Sequence, residues 1–156
     1  KRVTTPTKVL ILLEHSKRYP VRTSLVQEVL SQELSDVGFS PVTEADIGSV
    51  NAKIGRHAVQ KTQFKPLHTR FPGTFEIIIV GEISVQPLSE VQGMKIFSAN
   101  GLVKAVSLKT GLSFGAESFQ DVRGFGITEE QAAENAIRVA ALKAAETIVG
   151  DILSTY

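Results

Sequence analysis

The sequence contains no cysteine. That one absence excludes disulfides, thiolate metal ligands and cysteine nucleophiles together, and it leaves the redox compartment open. Tryptophan is missing as well, and the aromatic content is eight Phe and two Tyr. No apolar run approaches the ~20 residues that a membrane-spanning helix needs. Charge of one sign is not in excess: 17 Lys and Arg face 16 Asp and Glu, for a net charge of +1. A surface so balanced argues against nucleic-acid binding by the whole molecule. Methionine does not open the chain; position 1 is Lys. We therefore expect part of a longer or processed chain, in which the lack of a signal peptide carries no information about export.

What is present fits one domain. A length of 156 residues matches a single core, and folding such a chain buries roughly two-thirds of the surface it exposes when unfolded. With 42% hydrophobic and 21% charged residues, the composition is neither disordered nor membrane-like. We expect residues 1–156 to form one α/β domain.

Val9 to Leu13 is a continuous apolar run, the pattern of a strand covered on both faces. Ser24 and Gln27 have capping-box spacing, and Val26, Val29, Leu30, Leu34 and Val37 follow on one helical face before Gly38. Phe39 to Val42 reads as a return strand, giving a β-α-β opening. Ile47, Val50, Ile54, Ala58 and Val59 predict a second helix, and Pro66, Pro72 and Gly73 a loop after it. Three strands follow at Phe75 to Val85, Ile96 to Leu108 and Leu112 to Val122, with short links that favour an antiparallel meander. Thr128 and Gln131 again have capping-box spacing, and a long Ala-rich helix runs from Ala132 to Leu153. Its inner stripe is Ala133, Ile137, Ala140, Ala144, Ile148 and Ile152. The expected fold is a mixed or mainly antiparallel sheet of about five strands, with the 25–37 helix and the C-terminal helix packed on it.

Catalytic signals are thin. His15, His57 and His68 have no second ligand at metal spacing, and no nucleophile elbow occurs. Gly124-Phe125-Gly126 ahead of a helix lacks a third glycine, and Glu129 and Glu130 would repel a phosphate there. The sequence therefore reads as a non-enzyme with neither metal nor cofactor. Charge is the feature that stands out. Between Asp46 and Glu76 there is no acid, while Lys53, Arg56, His57, Lys61, Lys65, His68 and Arg70 lie there. Residues 117 to 151 carry seven acids against three bases. A solvated loop accounts for such a run; so does a docking surface for an acidic partner, an anionic polymer or lipid headgroups, and these seven residues are the candidate partner-binding set. A second candidate is a small-ligand or nucleotide-fragment site at the strand exit, formed by Glu14, His15, Lys17 and Arg18; an enzyme using Glu14 or His15 ranks last.

Three strands and a helix also invite comparison with the double-stranded RNA-binding domain, which grips phosphates with Lys at the start of its last helix. Thr128-Glu129-Glu130-Gln131 has the wrong charge for that role. Single-strand binding through 53–70 stays open as an alternative.

Three passages carry a different likeness. They are Val9–Glu14 with Leu25–Phe39, Ile77–Gly81 with Ile96–Gly111, and Gly124-Phe-Gly followed by Thr128-Glu-Glu-Gln-Ala-Ala. In these the chain resembles a superfamily of bacterial envelope domains: the curli secretion channel lipoprotein, the lipoprotein activator of penicillin-binding proteins, flagellar assembly protein T and the TolB amino-terminal domain. The resemblance implies a non-enzymatic assembly role in the periplasm or at the inner leaflet of the outer membrane. It also implies protein partners, a ring oligomer, and membrane contact only through a lipid anchor or segment outside this sequence. It supplies no catalytic residues.

Overall fold

The computed structural model describes residues 7–15, 25–60 and 75–155. Five strands form one mixed sheet in the order β2-β1-β3-β4-β5. They are β1 (Lys8–His15), β2 (Ser40–Thr43), β3 (Ile77–Val91), β4 (Met94–Ser107) and β5 (Ser113–Gly126). β1 runs parallel to both β2 and β3, while β3, β4 and β5 form an antiparallel meander. The helices are α1 (Leu25–Asp36), α2 (Glu44–Ile47), α3 (Ser49–Gln60) and α4 (Glu129–Thr155).

One face of the sheet, here called the inner face, is closed by α1 and α4. Val9, Ile11, Ile77, Ile79, Phe97 and Val103 lie there, all at most 1% exposed. Every residue of the expected inner stripe of α4 is buried, and Ala132, Ala136, Ala141, Ala145 and Val149 are buried beside it. Alanine over this width lets the helix axis sit close to the strands. The closest approach is at the end of β5: a Cβ on Gly124 would collide with the backbone of Ala132 and Ala136, and one on Gly126 with that of Gln131 and Ala132. The Gly124-Phe-Gly motif is thus part of β5 and a contact surface for α4, beyond the strand end expected at Val122.

The opposite, outer face is covered over part of its width. Ala52 and Val59 of α3 join Leu10, Leu12, Ile78, Val106, Phe75 and Leu108 in a smaller apolar cluster. Across β4 and β5 no helix among the described residues covers it.

Several expected boundaries shift. The second helix is two, divided at Gly48. β3 continues six residues beyond Val85 to Val91 and meets β4 through Gln92 and Gly93, whose φ values of 52° and 81° suit a two-residue hairpin of the primed type. A register shift between Pro87 and Ser89 absorbs the proline within the strand. β5 runs on to Gly126 rather than stopping at Val122. The α4 cap differs in one bond: Thr128 Oγ1 accepts from Gln131 N (3.1 Å) as expected, but Gln131 Oε1 accepts from Ile127 N (2.8 Å), one residue before the cap. Ser24, the proposed cap of α1, lies outside the described residues.

Candidate functional site

The expected basic surface divides into a described and an undescribed part. Lys53 and His57 are exposed one turn apart on α3, so they share a face. Arg56 is turned inward, and its Nη2 donates to Glu44 Oε2 at 2.6 Å. Lys61, Lys65, His68 and Arg70 lie outside the described residues. So do Lys17 and Arg18 of the second candidate site, whose Glu14 and His15 occupy the last positions of β1.

A groove that sequence reasoning did not single out lies on the outer face, where the cover from α3 gives way to bare sheet. Leu12 and Val59 form its inner end; Val80, Glu82 and Ser84 of β3 and Asn100, Leu102 and Lys104 of β4 form its floor and wall; Arg56 lies at its edge. Its volume is about 670 Å³. The strand residues are register neighbours, pairing Val80 with Lys104, Glu82 with Leu102 and Ser84 with Asn100. Because side chains alternate along a strand, all six project from the outer face while Gly81, Ile83, Gly101 and Val103 belong to the inner one.

The electrostatics of the groove are specific. Glu44 already neutralises Arg56. Among the described residues no carboxylate lies within 4.0 Å of the Lys104 ammonium, and no cation within that distance of the Glu82 carboxylate. Asn100 Oδ1 accepts from Asp121 N at 3.0 Å, which fixes the amide and leaves its NH₂ as a donor. Asp121 holds a positive φ of 51° at a register irregularity between β4 and β5. Hydrogen bonds from the Arg123 guanidinium and then the Ser98 hydroxyl pull its carboxyl below the ordinary 3.8.

A sequence signal for this groove does exist. Ile77 to Val80 is continuously apolar, where α4 covers the inner face of the strand and the α3 cluster its outer face. From Gly81 to Gln86 the pattern turns to alternation, where the outer face opens. The change of period marks the groove. Among the described residues no group of three or more His, Cys, Asp and Glu could hold a metal ion, and no helix is long and apolar enough to cross a membrane.

Comparison with known proteins adds a family to this geometry. No curated protein matches the sequence. Among solved structures, lipoprotein GNA1162 from Neisseria meningitidis shares the fold with a TM-score of 0.54 at 11% identity, over 96% of this chain and 99% of that one. The PelC dodecamer from Paraburkholderia phytofirmans gives 0.54 at 6% identity, over 97% and 91%. TolB from Acinetobacter baumannii gives 0.53 at 10% identity, over 97% of this chain and 29% of TolB. At such identities the likeness is one of fold. The sequence itself goes further, since residues 6–149 match the family described as TP0693-like lipoprotein, C-terminal domain. This chain therefore belongs to the TP0693-like lipoprotein C-terminal domain family.

Proposed function

We propose that the chain is a non-enzymatic binding and assembly module of the cell envelope, working in the periplasm or at the inner leaflet of the outer membrane. It engages an acidic protein partner through the basic face that Lys53 and His57 begin on α3. Lys61, Lys65, His68 and Arg70 are assigned to the same surface, with Arg56 as its anchor to Glu44. The observation that carries the reading is the lipoprotein-family match over residues 6–149. Exposure of Lys53 and His57 on one helical face supports the choice of surface. In this reading residues 1–156 act as a single domain, and copies assemble with one another as the PelC chains do in their dodecamer. The curli channel, the synthase activator and flagellar assembly protein T are the functional analogues, and no cofactor is involved.

The test uses the full-length parent in its own cells. Photo-crosslinkers at positions 53 and 57 should yield a discrete adduct with an envelope protein. Combined charge reversal at Lys53, Lys61 and Lys65 should abolish it. An adduct unaffected by charge reversal would remove this surface, and a parent recovered from the cytosol would remove the envelope role.

A further inference from the structure

We propose that the outer-face groove binds a short acidic saccharide, with Lys104 taking its carboxylate and Glu82, Ser84 and Asn100 its hydroxyls. This goes beyond the protein-docking reading and does not depend on it.

The location limits what the groove recognises. Its floor is the face of a strand pair, β3 with β4, in register at Val80–Lys104, Glu82–Leu102 and Ser84–Asn100, and the backbone N–H and C=O groups of a sheet lie in its plane rather than on its face. A peptide added as an extra strand therefore has nothing to pair with here. Recognition rests on side chains alone.

Those side chains select against an acyl chain. Leu12 is 0% and Val59 7% exposed, so the apolar end of the groove offers little free surface to bury. The apolar group that does stand free is Leu102, 50% exposed in the middle of the wall. Around it are a hydroxyl, an amide, a carboxylate and an ammonium. One apolar platform ringed by donors and acceptors matches a pyranose, which has a C–H face and a rim of hydroxyls. The half-buried Lys104 ammonium, without a carboxylate within 4.0 Å among the described residues, adds the preference for an acidic sugar. Glu82 one pair along accepts from hydroxyls and sets the direction of the chain. A volume of about 670 Å³ suits two or three sugar rings, within the ~300–1,000 Å³ usual for small-molecule sites.

Calorimetric titration of the 156-residue chain decides the matter, with tetra-mannuronate as the probe and cellotetraose and laurate as comparisons. Tetra-mannuronate should bind, and cellotetraose more weakly. Lys104→Gln should weaken tetra-mannuronate on the order of tenfold or more, the loss of one hydrogen bond to a charged group. Lys104→Arg should restore much of the affinity, which separates charge from a folding defect. Glu82→Gln should weaken cellotetraose, whose hydroxyls lose a charged acceptor, more than tetra-mannuronate, for which removal of a like charge offsets that loss. Three results would each overturn the proposal: no heat from tetra-mannuronate, affinity unchanged by Lys104→Gln because the anion sits on the 53–70 segment, or laurate bound in preference.

Discussion

The two faces of the sheet are built to opposite specifications. The inner face pairs Ile77, Ile79, Phe97 and Val103 with an alanine surface, and almost nothing on it reaches solvent. The outer face is packed beneath α3, then opens to Glu82, Ser84, Asn100 and Lys104 around the half-exposed Leu102 on the same two strands. A single strand such as β3 thus serves stability at Ile79 and binding chemistry at Glu82, three residues apart. The lesson is that cover, rather than strand identity, decides where polar groups are tolerated. Substitutions on the inner face should be felt in folding, and those on the outer face in binding.

The sharpest way to break this contrast is Ile148→Ala. Ile148 is fully buried between α4 and the sheet, and a cavity there should cost about 3 kcal/mol in denaturant unfolding. Gly124→Ala should come next, at about 2 kcal/mol, because its Cβ meets the backbone of α4, which yields little. On the outer side, Glu44→Gln removes the ion pair with Arg56, whose side chains are 32% and 19% exposed, and should cost under about 1 kcal/mol. Leu102→Ser should stay within about 0.5 kcal/mol, as expected for a residue half in solvent. Losses at Leu102 matching those at Ile148 would show that the outer face is core after all.

The smallest effect concerns Asp121. Its carboxyl is depressed below 3.8 by Arg123 and Ser98, so the stabilisation is present above about pH 4 and is lost as pH falls through the lower folded value. Thermal unfolding of the protein and of Arg123→Leu should differ at neutral pH and converge in acid. A gap that persists in acid would assign the contribution of Arg123 to packing.

Much of this architecture was readable in advance. The β-α-β opening, the meander and the α4 stripe follow from periodicity, because burial of one face leaves a strong imprint on residue spacing. The end of β3 was hidden by Pro87, Ser89 and Glu90, which look like loop but sit in an exposed part of the hairpin where polar residues cost nothing. Gly124 and Gly126 lie past the strand end expected at Val122; their role as a bed for α4 depends on a contact with residues up to twelve positions away. The groove was harder still. Glu82, Ser84, Asn100 and Lys104 are 16 or more residues apart across β3 and β4, and strand register brings them together. The basic run, conspicuous as composition, divides in the fold, with Lys53 and His57 outward and Arg56 inward on Glu44.

The most direct test of the division between faces is residue-resolved: amide chemical shifts of the labelled chain during titration with tetra-mannuronate. The account predicts perturbations confined to Val80–Ser84 and Asn100–Lys104, with α4 silent. Perturbations centred on α1 or α4, or spread evenly along the chain, would contradict it.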